Sequence, residues 1–340
     1  MKTYTFWNNK GGTGKTSLCF QIAVQYALDH PQENILVMDV CPQANISEYL
    51  LGGLLGNGSH NLVSLWTNPN RRQSIAGYFF DHLPSAHTMF ANFTPSNYIC
   101  SPYQFNANIP QNVALVAGDS YVEQLANSIS AQASVTIPGL NAYARIINWL
   151  IEFLTPLRNN GEYDVVFIDT NPSFSIYTQM AIAAADELII PVTADNSSLR
   201  ALNNVLALVY GINPNANNVQ NTFNAQMIAA GMNLPKINSV IRNRLTQYMR
   251  RPASAYSAVL DSIITLSQTL SQSHPLYFSH NFSIYDVRDF NTVGQIAFAE
   301  SKVFTQINPG YHRIGTRRIQ ANQLFIQDCV NAMQPILNNL

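Results

Sequence analysis

The residues best placed to do chemistry stand together near the N-terminus, in the string Lys10-Gly11-Gly12-Thr13-Gly14-Lys15-Thr16-Ser17 that follows the apolar run 3–7. A strand that ends in a glycine turn and passes at once into a helix is the geometry of a phosphate-binding loop. Glycines let backbone N–H groups crowd around an anion without interference from Cβ. The helix starting near Gly14 adds its unsatisfied N-terminal donors and the positive end of its dipole. Lys15 supplies a mobile cation for the outer phosphates, and the Thr16 hydroxyl is placed to ligate Mg²⁺. Two carboxylates complete the set. Asp39 follows the apolar run 35–38, and Asp169 ends the run 163–168. A carboxylate at the C-terminal end of a buried strand lies where open α/β sheets bind ligands, and an oxygen donor there can meet Mg²⁺ directly or through water.

Positioning these residues requires alternating strands and helices. Residues 17–30 read as a helix, with Leu18, Cys19, Ile22, Ala23, Tyr26 and Ala27 on one face. The fully apolar run 35–38 reads as a central parallel strand. Further strands are predicted at 113–117, 163–168 and 184–192, the last ended by Pro191, and at 237–245 and 282–290. Helices are predicted over 143–157, stopped near Pro156, and over 195–210. Residues 211–221 are Asn-rich and read as a solvated loop. From Arg317 to the end the apolar spacing suggests a closing amphipathic helix. The fold class is therefore α/β: a doubly wound, mostly parallel sheet flanked by helices, one domain over 1–340. Residues 51–111 break the pattern with Gly-rich turns and aromatics of no clean period, and read as an insertion with small helices of its own.

One departure in the loop is informative. Asn9 stands at the usual first glycine and is followed by Lys10, so the string resembles the deviant Walker A loop of the ParA/MinD family of ATPases, most nearly the ParA-type partition ATPases. The resemblance extends to Asp39-Val40-Cys41-Pro42-Gln43-Ala44-Asn45 as the first switch, to Asp169-Thr170-Asn171-Pro172-Ser173 as the Walker B strand end and second switch, and to the strand at 184–192. It implies a Mg²⁺- and ATP-dependent homodimer in which Lys10 reaches the phosphates of the opposite subunit and Lys15 those of its own. Asp39 and Asp169 would sit in the metal shell, and Gly11 to Ser17 would cradle the nucleotide. Asn243, at the end of the strand 237–245, is the candidate for reading the adenine edge, since an amide offers both a donor and an acceptor. Cys41 stands where the family places the aspartate that orients the attacking water. A thiol is mostly neutral at pH 7 and a poor substitute for a carboxylate, so hydrolysis is expected to be slow or partner-dependent. Asn171 is a milder departure.

Bulk composition narrows the output. Of 340 residues 11% are charged and the formal net charge is −1, so no global field points to a partner. Locally, residues 236–318 hold ten Lys/Arg against four acids, leaving eight against fifteen elsewhere. Such a basic excess suits non-specific DNA, with Arg250, Arg251, Arg313, Arg317 and Arg318 as the expected contacts. Four scattered cysteines, Cys19, Cys41, Cys100 and Cys329, show no paired spacing for zinc or a cluster and fit a reducing cytoplasm. The chain enters a strand within a few residues of Met1, leaving no room for a signal peptide, and no apolar run is long enough to span a bilayer. The tail after Arg318 has Asp328 as its sole charge, which argues against a MinD-like membrane helix. The expected role is a cytoplasmic, nucleoid-associated partition ATPase working with a ParB-like partner. A positioning ATPase for an organelle or protein cluster is the close variant.

Overall fold

The apolar runs that end in Asp, Gly or Pro assemble into one sheet. The computed structural model describes residues 1–90, 93–193, 195–212, 223–245, 247–248, 251–252 and 254–340, and of residues 196, 247–248, 251–252 and 254–257 the backbone alone. In chain order the strands are β1 (Lys2–Phe6), β2 (Ile35–Asp39), β3 (Ile99–Cys100), β4 (Val113–Val116), β5 (Val165–Asp169), β6 (Glu187–Thr193), β7 (Lys236–Leu245), β8 (Gln247–Tyr248), β9 (Arg251–Pro252), β10 (Phe278–Arg288), β11 (Gly310–Ile314) and β12 (Arg317–Ala321). Eight of them form the main sheet in the order β10-β7-β6-β1-β5-β2-β4-β3. Every neighbouring pair is parallel except β3 with β4.

Parallel strands need helical crossovers, which cover both faces. One face buries α1 (Lys15–Asp29) and the closing helix Gln323–Leu337 around Phe20, Ile22, Cys329 and Ile336. The other face packs under the helices Ala142–Ile147, Trp149–Asn159, Ile176–Ala183 and Asn196–Tyr210, around Trp149, Phe153, Met180 and Val205. The doubly wound α/β expectation therefore holds. Because β1 lies between β6 and β5, the strand order reverses there, and β5 leads on to β2. Phe6, Asp169 and Asp39 thus stand in register at the C-terminal edge.

Four local expectations need correction. Pro191 lies inside β6 rather than ending it. Its carbonyl accepts from the Asn8 side chain at 2.7 Å, so the missing N–H points where β1 has already given way to the loop, and no ladder bond is lost. The helix predicted over 143–157 is two, joined at Asn148, and the second carries Pro156 inside and runs on to Asn159. The closing helix begins only at Gln323. Arg317, Arg318 and Ile319 instead form half of the hairpin β11–β12, whose turn uses Gly315 at φ 58°. Residues 51–111 do carry short helices, Gly58–Trp66 and Ile75–His82, but they also supply the edge strand β3. The predicted loop 211–221 lies almost wholly outside the described residues.

Candidate functional site

The loop between β1 and α1 has the predicted form. Gly12 and Gly14 adopt left-handed backbone at φ 74° and 87°, which a side chain would disfavour. Space around a Cβ at Gly12 is open. Gly11 and Gly12 are exposed while Thr13 and Lys15 are buried, so the rim of the loop is accessible and its lysine lies beneath. No side chain caps α1 and no acid occupies its first turn, which leaves the N–H groups of Thr16, Ser17 and their neighbours aimed at the loop. The Lys15 ammonium donates to the carbonyls of Asn8 at 3.1 Å and Lys10 at 3.2 Å. Burial lowers its pKa, and the nearby Asp169 opposes that shift.

The two carboxylates sit on adjacent strands as register partners and both are fully buried. Asp39 accepts from the Cys41 amide at 2.9 Å, and from the Ser47 amide at 3.2 Å and hydroxyl at 2.7 Å. Burial raises its pKa to about 6 against those hydrogen bonds. Asp169 accepts from the Thr16 hydroxyl at 2.8 Å. Burial and then the Asp39 charge push it up to about 8, with Thr16 and Lys15 acting the other way. Its Oδ1 is buried without a partner, as are Asn9 Oδ1 and Thr13 Oγ1. Two side-by-side carboxylates, one with an orphaned oxygen, and a hydroxyl form a hard-donor set that fits a Mg²⁺ ion. Among the described residues no cluster of three His, Cys, Asp or Glu could cage a metal.

The remaining predicted residues are placed less simply. Lys10 does not project outward. Its ammonium forms an ion pair with Asp195 and donates to Thr193 at 2.8 Å and Ser198 at 3.2 Å. Asp195 also caps the helix Asn196–Tyr210. Asn243 is buried with both amide atoms engaged: Nδ2 donates to the Thr13 carbonyl at 3.0 Å and Oδ1 accepts from the Arg244 amide at 2.8 Å. It braces the phosphate loop from below, against Gly14, where a Cβ would collide with it. Cys41 is buried, and burial with the Asp39 and Asp169 charges raises its thiol pKa, so the thiol stays neutral. Asn171 is spent internally, accepting from Ser173 and Thr178 and donating to Tyr177.

Of the expected DNA contacts, Arg250 lies outside the described residues and Arg251 is described by its backbone alone, in β9. Arg313, Arg317 and Arg318 are exposed on the hairpin. Arg313 stands directly opposite Arg318, whose guanidinium lies 3.9 Å from the Tyr311 ring centroid. Two cations facing each other with no ion-pair partner among the described residues repel, and an anion between them would relieve that.

Sequence reasoning missed Ser47, Asn8 and Asp195. Asn8 accepts from the Lys10 amide at 2.9 Å and ties the loop to Pro191. Asp195 was findable, because an acid just past a buried strand at this edge falls beside the loop. Ser47 carried no signal beyond its closeness to the first switch.

Comparison with known proteins bears on this geometry. Residues 1–227 match the profile of the AAA domain family. The virulence-plasmid ParA family protein pGP5-D of Chlamydia psittaci is 24% identical over 206 residues, covering 60% of this chain. The matched part spans 62% of that relative's length. The chromosome-partitioning ATPase Soj of Treponema pallidum is 24% identical over 289 residues, covering 82% of this chain and 89% of Soj. Among solved structures, an ATP complex of a McdA variant from Cyanothece superposes with a TM-score of 0.63 at 15% identity, over 100% of this chain and 96% of that one. A plasmid partition protein of Borrelia burgdorferi bound to AMPPNP gives 0.57 at 17% identity, over 100% and 99%. At such identities the two structures speak to the fold.

Proposed function

The chain belongs to the ParA-type ATPases, and from that premise we propose that it is a Mg²⁺- and ATP-dependent dimerising ATPase. In this reading it binds DNA non-specifically and drives plasmid or chromosome partition with a ParB-like partner. One observation carries the reading: a glycine loop on an uncapped helix end, with Lys15, Thr16, Asp39 and the orphaned oxygen of Asp169 around one point.

Mg²⁺-bound ATP supplies a terminal phosphoryl group open to attack by water. The chain's own residues do the rest. Lys15 exchanges two backbone carbonyls for phosphate oxygens, a stronger charge-assisted contact. Thr16 and Asp169, bonded to each other, would hold the metal with their oxygens, and Asp39, held by Ser47, would hold its water shell. Lys10 leaves Asp195 to cross to the second subunit. Cys41 offers no base: its buried neutral thiol cannot take the proton of an attacking water. Hydrolysis is therefore slow, and the ATP-bound dimer long-lived, until a partner stimulates it. On the surface Arg313, Arg317 and Arg318 take DNA phosphates.

A salt-titrated DNA-binding assay, with and without ATP, tests the reading. Binding that needs ATP and weakens steeply with salt supports it. No ATP-dependent binding even at low salt overturns the DNA role and favours the positioning of a different cargo.

A further inference from the structure

The stretch 51–111 takes hold of the strand end beside the metal site. The three residues after β4 are each bonded from it. The Ile75 amide donates to the Ala117 carbonyl at 2.9 Å. The Trp66 indole N–H donates to the Gly118 carbonyl at 2.8 Å. The fully buried Asp119 is clamped by Arg72 Nη2 at 2.7 Å and by the Ser74 hydroxyl at 2.6 Å. Gly118 in turn faces the site. Its amide donates to the Ser47 hydroxyl at 2.8 Å, and that hydroxyl donates to Asp39 Oδ2. The approach is so close that a Cβ at Gly118 would lie 2.6 Å from the Asp39 carboxyl.

We propose that Trp66 and Ser47 are positioning residues for the metal-site carboxylate, acting through Gly118, so that 51–111 sets the orientation of Asp39. The relay rests on the assignment of Asp39 to the metal shell. The chain of donors is directional. The indole fixes the carbonyl on one side of the Gly118 Cα, the amide on the other side takes one lone pair of the Ser47 hydroxyl, and the hydroxyl hydrogen is left pointing at Asp39. A carboxylate next to a metal is held by such outer partners, whose loss weakens metal binding about 10- to 100-fold. The sequential links also give anything that docks on Trp66 or its helix a path of three hydrogen bonds to Asp39.

The test uses the full chain with ADP and Mn²⁺ as the probe, read by electron paramagnetic resonance, together with amide hydrogen exchange of the nucleotide-free chain. Ser47→Ala, which removes the hydroxyl, should weaken Mn²⁺ binding in the ADP complex about tenfold or more. Trp66→Phe, which keeps an aromatic ring and loses only the N–H donor and some area, should weaken it less, about threefold. It should also speed exchange of the Ser47 and Gly118 amides. A purely structural role for Trp66 would lower melting temperature and leave Mn²⁺ affinity alone. Wild-type Mn²⁺ affinity and exchange in Trp66→Phe overturn the relay whatever the fate of Ser47→Ala. Failure of the wild-type chain itself to bind Mn²⁺ with ADP overturns the metal assignment instead, and the relay with it.

Discussion

The phosphate loop and the basic stretch 236–318 were both legible as charge and spacing, yet they meet the structure differently. In the loop, the residues from Gly11 to Thr16 stay together around one turn, because consecutive residues on a strand-turn-helix have little freedom to scatter, and Lys10 alone reaches away, to Asp195. In the basic stretch the described cations disperse. Arg242 is nearly buried and bonded to Asp286 and to the Leu260 carbonyl. Arg288 pairs with Asp328 and lies 3.9 Å over the Phe325 ring. Lys302 pairs with Glu300 at 2.8 Å. Among the described side chains, Lys236 and Arg244 at the two ends of β7 and the hairpin trio are exposed. A count of charges sums groups that the fold has already neutralised with groups it has left free, whereas a contiguous motif carries its own geometry.

The largest effect should come from the loop. Lys15→Ala removes a cation that makes charge-assisted bonds worth about 1.5–3 kcal/mol each, so ATP affinity measured by calorimetry should fall at least about a hundredfold. Retained affinity would mean that the buried lysine only braces the Asn8 and Lys10 carbonyls. Lys10 divides the question further. Lys10→Ala should spare nucleotide binding and abolish the ATP-dependent dimer in sedimentation. Asp195→Asn keeps a good helix cap and deletes the ion pair, which at such partial exposure contributes about 1 kcal/mol or less. Freed of that competitor, Lys10 is available to a second subunit more of the time, and the dimer constant should tighten by up to about fivefold. An unchanged constant would show that the Lys10–Asp195 contact does not compete with dimerisation.

The basic stretch should respond more gently and selectively. Removing Arg313 and Arg318 together should lower the slope of log affinity against log salt by about 1.8, because two DNA phosphates then keep their counterions. Arg288→Gln is the contrast. It breaks the pair with Asp328 and should lower thermal stability while leaving that slope alone. If both variants shift the slope equally, exposure is not what selects the DNA contacts.

These contrasts also mark what the sequence could disclose. Strands β1, β2, β5 and β7 were readable from short apolar runs, and the site from residues adjacent in the string. Unreadable were features decided by residues far apart. Pro191 continues β6 only because β1 stops short beside it. Arg317 to Ala321 alternate as a strand only because Gly310 to Ile314 lie opposite, and an apolar count fits a helix as well. The aromatics of 51–111 show no period because the stretch divides between two faces, Tyr78 and Tyr98 on one and Leu62 with Leu65 on the other. The roles of Asn243 and Ser47 depend on contacts to Thr13 and Gly118 across the site, which no local pattern records.

Acidity separates the two regions with the smallest of these effects. Arginine stays charged at any working pH, so salt-dependent DNA binding by the hairpin should be flat between about pH 6 and 8.5. The carboxylates titrate. Asp39 and Asp169 are raised to about 6 and about 8, whereas an unfolded Asp lies near 3.9. Between those limits the native chain holds more protons than the unfolded one, and stability must fall as pH rises. The nucleotide-free chain should therefore melt a few degrees lower at pH 8.5 than at pH 5.5. Mg²⁺ with ADP must displace those protons, so its stabilising shift should grow over the same interval. A melting temperature that rises with pH in the bare chain would show that the two carboxylates already have compensating charge, and would remove the electrostatic reason for a metal at that point.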